Sequence, residues 1–194
     1  MANFNAIRYN NSYTDIGKLT LITTTTASSD STISFTSGID STYKEYMFIF
    51  NNIHPATDNA NFSFQADTGT NTNFNQTITS TYFAGYQTED GSTAAVQYVS
   101  GQIQHQGTAF QTLVDSVGNG NDESCSGILH IFEPSNTTHI KHFIARSHGY
   151  NGSDYSTDLF CAGYINTATA ITRVQFKFSS GNIDSGVIQL FGVG

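Results

Sequence analysis

"ISFTSGIDSTYKEYMFIFNNIHP", residues 33–55, decides the fold class. Ile33 and Phe35 alternate with Ser34, a Gly38-Ile39-Asp40 turn follows, and "EYMFIF" then sets Tyr46, Phe48 and Phe50 on one face and Met47 and Ile49 on the other. Successive side chains of a strand point to opposite faces, whereas a helix needs apolar residues at i, i+3, i+4 and i+7. Only the period of two fits. Pro55 has no amide hydrogen to offer a ladder and helps to end the run. The stretch predicts two strands joined by a turn, the second burying Tyr46, Phe48 and Phe50. It contains no constellation suited to a reaction.

The same period recurs on either side. "KLTLITT" alternates Leu19 and Leu21, "NFSFQA" alternates Phe62 and Phe64, and "VQFKFSS" places Val174, Phe176 and Phe178 inward with Gln175 and Lys177 outward. "ILHIFEP" (128–134) is apolar on both faces and predicts a central strand. "HIKHFIAR", "DLFCAGYI" and the closing "GVIQLFGVG" read the same way; the runs near Tyr82–Tyr86 and Val96–Val99 are less regular. Turn signals such as "TSGID", "DTGTN", "EDG", "GNGND", "YNGSD" and "SSGNIDSG" separate them. Roughly ten or more strands at this spacing favour two packed sheets, because so wide an open sheet curls or splits. The prediction is an all-β, antiparallel two-sheet β-sandwich, jelly-roll-like, in one domain over 18–194. Residues 1–17 carry Phe4, Ile7, Tyr9 and Tyr13 in an Asn-rich context without clear period, and read as a short N-terminal arm that packs on this domain or a neighbour. The middle, 84–121, is polar with few strand signals and reads as long loops, where binding usually resides.

Composition agrees. The 194 residues include 15 Phe and 10 Tyr but only 11% charged residues, and aromatic richness separates the chain from disordered ones. The net charge of −8 rests on seven scattered basic residues, which argues against nucleic acid and anionic membrane as partners, since both demand clustered Lys and Arg. No apolar run approaches a membrane span, and the opening "MANFNAIRYNNSYTD" has no apolar secretory segment, so we expect a protein made in a cytosol. Without a secretory route the five N-x-S/T sequons carry no meaning. Cys125 and Cys161 read as two small buried hydrophobes.

The candidates for chemistry are weak. His139 and His142 lie three apart, an offset that on one strand sends them to opposite faces, so they cannot share a metal directly. His130, between Ile128 and Phe132, reads as a structural histidine. No nucleophile elbow or phosphate loop is present. Glu89-Asp90 and Asp122-Glu123 are adjacent carboxylates in Gly-containing loops; a glycosidase needs two carboxyls across a cleft, and "NGNDES" lacks the spacing of a Ca²⁺ loop. The aromatics of "TYFAGY" (Tyr82, Phe83, Tyr86) and "GYNGSDY" (Tyr150, Tyr155) are candidate platforms for sugar or protein contacts, and Tyr82, Tyr86, Tyr150 and Tyr155 are the candidate partner contacts together with Phe4, Ile7, Tyr9 and Tyr13 in the arm. The expectation is a binding or structural unit rather than an enzyme, with no catalytic residue, cofactor or metal.

The stretch "LTLITTTTASSDSTISFTSGIDSTYKEYMFIFNNIHPATDNANFSFQ" (19–65) resembles a family of marine and cyanobacterial phage virion proteins, in which "S-G-I-D-S-T-Y" leads to an aromatic strand and "I-x-P-x-T-D". The likeness extends to the closing "GVIQLFGVG". The resemblance implies a virion structural protein assembled in the host cytoplasm. Its first reading is a capsid decoration, or cement, protein on the outer face of the major capsid lattice, with homotrimeric or lattice contacts. The alternative is a tail or head fibre knob that binds host surface glycan, and a third reading is a polysaccharide depolymerase.

Overall fold

The computed structural model describes residues 18–194, so the expected arm at 1–17 lies outside the described residues. Thirteen strands account for the architecture: β1 (Leu19–Thr26), β2 (Ile33–Phe35), β3 (Glu45–Pro55), β4 (Ala60–Thr68), β5 (Ile78–Thr88), β6 (Ala94–Tyr98), β7 (His105–Gly107), β8 (Gln111–Val117), β9 (Cys125–Phe132), β10 (Lys141–Asn151), β11 (Tyr155–Ile165), β12 (Ile171–Phe178) and β13 (Ile183–Val193). The fold is all-β, and every pairing among the described residues is antiparallel.

Two sheets emerge from the pairing. The larger runs β1-β13-β3-β9-β10-β11-β5, with β6 and β7 sharing the far edge of β5; the smaller runs β2-β12-β4-β8. One pairing, Asn151 with Val117, ties the end of β10 to β8. Within this order the strand pairs β1/β2, β3/β4, β8/β9 and β12/β13 each cross from one sheet to the other. The quartets β1-β13-β3-β9 and β2-β12-β4-β8 stand in matching order, the winding of a jelly roll. Two insertions, β5–β7 and β10–β11, both extend the larger sheet.

The opening stretch is therefore divided. β2 pairs β12 in the small sheet, β3 lies between β13 and β9 in the large one, and the two do not pair with each other. The link between them is fixed locally. Gly38 takes φ +84°, which a residue without Cβ adopts freely, Ile39 is buried, and the Tyr46 hydroxyl donates to Asp40 Oδ1 at 3.0 Å while accepting from the Asp40 amide at 3.0 Å.

Tyr46, Phe48 and Phe50 are fully buried. Phe48 meets Phe35 at 5.1 Å and Phe176 at 5.3 Å between ring centroids, Phe50 meets Phe62 at 5.2 Å, and Phe64 reaches Phe143 at 5.1 Å, so aromatics from both sheets interlock. Val174, Phe176 and Phe178 point into this core as the alternation predicts. On the opposite face of their strand, Lys177 Nζ lies 4.3 Å from the Phe110 ring centroid. Gly127 on β9 permits the close approach: a Cβ there would stand 2.7 Å from both Arg146 O and Phe50 Cζ.

Three expectations are corrected. The middle of the chain is not mainly loop: "QTLVDSV" forms β8, the edge of the small sheet, and most of it is buried. Leu19 and Leu21 do not face the core; a bulge between Leu21 and Thr23 shifts the register, and Ile22 packs inward instead. β9 is central, but its second apolar face is left uncovered, with Ile128 exposed. At the edge of the large sheet, the Gly194 amide donates to Lys18 O at 3.0 Å, joining the end of β13 to the start of β1.

Candidate functional site

The outer face of the large sheet can be read from its register, because directly paired residues share a face. One file crosses six strands: Ile49, Ile128, Arg146, Phe160, Phe83 and Tyr98. The file beside it runs through Leu21, Phe191, Met47, His130, Ile144 and Ala162. Several of these side chains are open to solvent: Leu21 51%, Ile144 52%, Tyr98 58%, and the neighbouring Val96 79%. Phe83 and Phe160 stack face to face, 4.7 Å apart with planes 4° off parallel, and the Arg146 guanidinium lies 4.9 Å from the Phe160 ring centroid. Arg146 is held there by Asp158, its Nε and Nη2 donating to the two carboxylate oxygens at 3.2 and 2.9 Å, and this pairing raises its already high pKa further. Isolated exposed hydrophobics are ordinary; several of them in adjoining files are a feature that contact surfaces share. His130 belongs to this face, its Nδ1 against Glu45 Oε1 and its ring near Phe132.

A second feature lies where the extension of the large sheet diverges from β8. Tyr86 and Tyr155 meet edge to face with centroids 5.6 Å apart, and opposite them stand Asp115 and Ser116 at the end of β8. The space enclosed is about 290 Å³. Burial raises the Asp115 pKa above the ordinary carboxylate value, against hydrogen bonds from its own backbone amide and, at 3.4 Å, from the Tyr82 hydroxyl.

The expected partner-facing tyrosines thus separate. Tyr82 is core: it is fully buried, donates to Leu113 O at 3.3 Å, and burial pushes its phenol far above the usual range. It offers nothing to a partner, because its place in the period puts it on the inner face of β5. Tyr86 and Tyr155 come together at the pocket. Tyr150 stands apart among carboxylates: hydrogen bonding to Glu89, with Asp154 and Asp122 nearby, pushes it up to about 12. Phe4, Ile7, Tyr9 and Tyr13 lie outside the described residues. Phe83 of "TYFAGY" lies on the outer face, where the sequence offered it as a contact; Phe160, Ile144 and Val96 were not singled out, and the signal was the second apolar face of "ILHIFEP" and "HIKHFIAR".

The remaining candidates are scattered. Among the described residues no group of three His, Cys, Asp or Glu side chains converges to hold a metal. His142 lies on β10 facing Tyr164, whereas His139 precedes the strand. His54 Nε2 reaches Gly120 O at 3.1 Å, and His148 Nε2 reaches Ser156 Oγ at 2.9 Å. Glu123 turns back to accept from the Gly120 amide within its own loop. Cys125 and Cys161 are buried and unpaired, and burial raises both thiols, Cys161 to about 12.

No protein-family model matches the chain, and no curated protein is similar to it. Among solved structures it has a faint likeness to a chain in the structure of infectious bursal disease virus Gx strain, 14% identical, covering 92% of this chain and 41% of that one. The TM-score is 0.16, and the likeness carries no weight. The chain spans well under half the length of that relative.

Proposed function

We propose that this protein is a structural component of a bacteriophage virion, placed on the particle exterior as a capsid decoration protein. In this reading the outer face of its large sheet lies against the major capsid lattice or a neighbouring virion protein. The observation that supports it most is the file Ile128, Arg146, Phe160, Phe83 and Tyr98 across one sheet. Such a face is wide, flat and pre-formed, so little side-chain entropy remains to be lost on docking. Arg and aromatic residues are also the types that dominate the energetics of protein interfaces. The resemblance of residues 19–65 to phage virion proteins supports the same class.

The test is reconstitution of particles lacking the protein. Wild-type chain is expected to bind at hundreds of copies per particle and raise the temperature of head disruption. The Phe83→Ser/Tyr98→Ser variant, altered only at exposed positions, is expected to fold and to lose most of that binding. A copy number of tens or fewer, with head stability unchanged, would instead favour a fibre knob.

A further inference from the structure

We propose that the pocket between Tyr155 and Asp115 binds an uncharged sugar ring. This does not depend on where the outer face docks, and either reading can fail alone. The pocket opens at the end of the jelly roll that carries the β3–β4, β8–β9 and β10–β11 connections, which are tied together by bonds such as Gly152 N to Ser116 O at 3.2 Å and Asn119 N to Asp58 Oδ1 at 3.4 Å. The mouth of a β-barrel or sandwich is a common place for a ligand, since strands fix the walls and loops shape the rim.

Its polar groups are unspent. Among the described residues the Gln97 amide and the Tyr86 and Tyr155 hydroxyls make no hydrogen bond, although each lines the space. Asn151 uses its carbonyl oxygen on the Ser153 amide at 2.9 Å, which leaves its two amide hydrogens free. Asp115 receives a long bond from Tyr82 at 3.4 Å and one from its own backbone amide, which leaves acceptor capacity on its carboxylate. Acceptors and donors therefore line one volume together, as adjacent hydroxyls that each give one hydrogen bond and take others require. Tyr86 and Tyr155 supply the apolar counterpart, since a tyrosine ring covers the C–H face of a pyranose while its hydroxyl stays at the wet end.

Charge narrows the class. No Lys or Arg lines the pocket, and the adjoining hollow is formed by Glu89, Asp90 and Asp154. A sialic acid, uronic acid, sulfated sugar or phosphate would meet carboxylates without a counter-ion. The backbone supplies a separate sign. Asn59, Ser116 and Asp154, none of them glycine, hold φ of 55°, 53° and 62° around this rim. Such conformations cost free energy and gather where a fixed geometry is used.

The experiment is saturation-transfer NMR on the whole protein, with methyl glycosides of glucose, galactose and N-acetylglucosamine as probes and N-acetylneuraminic acid as the anionic control. At least one neutral glycoside is expected to bind saturably with Kd of roughly 1–10 mM, the range open to a single sugar. Gln97→Leu, on an exposed edge strand, and Tyr155→Ala are each expected to weaken it about tenfold or more. Ile144→Ser, on the opposite face, should leave it unchanged. The proposal is overturned by no signal from any neutral glycoside, by a signal that survives Gln97→Leu unaltered, or by binding of the anionic sugar alone.

Discussion

Phe176→Ala and Phe83→Ala remove the same ring from opposite sides of the sandwich, and the difference between them measures how the molecule is divided into inside and outside. Phe176 is fully buried, and its ring lies 5.3 Å from Phe48, 5.7 Å from Phe62 and 6.0 Å from Phe35. These neighbours belong to both sheets, so none can move into the vacancy without parting the sheets. The loss combines transfer of the ring to water with an unfilled cavity, about 3–5 kcal/mol. Phe83 is 42% exposed and has one stacked neighbour, Phe160. Its loss should cost about 1 kcal/mol, the scale of a single aromatic pair. In a chain of this length, each kcal/mol moves the melting temperature by roughly 2–4 °C. Phe176→Ala should therefore melt roughly 6–20 °C lower, and Phe83→Ala only a few degrees lower. Urea unfolding of both variants, with unchanged m-values, gives the comparison directly. If Phe83→Ala costs as much as Phe176→Ala, the outer face is covered within the folded molecule and the docking reading has no surface to work with. If Phe176→Ala costs under about 1 kcal/mol, the shared aromatic core is wrong.

Two further outcomes follow from buried polar groups. Burial raises the Asp115 pKa above 3.8 in the folded state, so the folded state holds the proton longer than the unfolded one, and stability falls as pH rises through that window. Asp115→Asn lacks this loss; calorimetry between about pH 3 and pH 7 should show the variant gaining on the parent as pH rises. Lys141 is buried, with Nζ donating to His139 O at 2.9 Å and Thr167 O at 3.0 Å, and burial lowers its pKa below 10.5. Lys141→Met should lose about 1–3 kcal/mol at neutral pH, because two carbonyls lose their donor. The parent sheds its proton earlier when folded, so its stability rises as pH climbs through the lowered value toward 10.5, and urea unfolding should show the gap widening.

The period of two made most strands legible, because a strand that buries one face must alternate. It failed where the physics gave no alternation. "QTLVDSV" hides on both sides, since Gln111, Thr112, Leu113 and Val114 are buried one after another, with Val114 beside Gly149, and a short doubly buried run has no distinctive pattern. The apolar second face of Ile128 and Ile144 invited the opposite mistake: apolar residues on both faces predict a covered strand, and the sequence does not say whether the cover comes from the same chain. Which strands share a sheet was also out of reach, since β2 and β3 are neighbours in sequence and belong to different layers. At the pocket, Tyr86 and Tyr155 were legible as aromatics in a loop-rich region. Asp115 was not, because its role depends on a desolvation that only the closing of β5 over β8 creates.

The pairing of β1 and of β3 with β13 has a consequence for the order of events in synthesis. The strand that separates them in the large sheet is made after the other twelve described strands, and β12, made just before it, separates β2 from β4 in the small sheet. The strands β1 to β4 therefore wait, each with an open edge, for β12 and β13. Contacts this distant in sequence make folding slow, and exposed edges are where nascent chains aggregate. A chain truncated after Asn166 should be recovered insoluble rather than as a smaller domain. Until β12 and β13 are in place, the strands they will separate keep edges that a chaperone would have to shield.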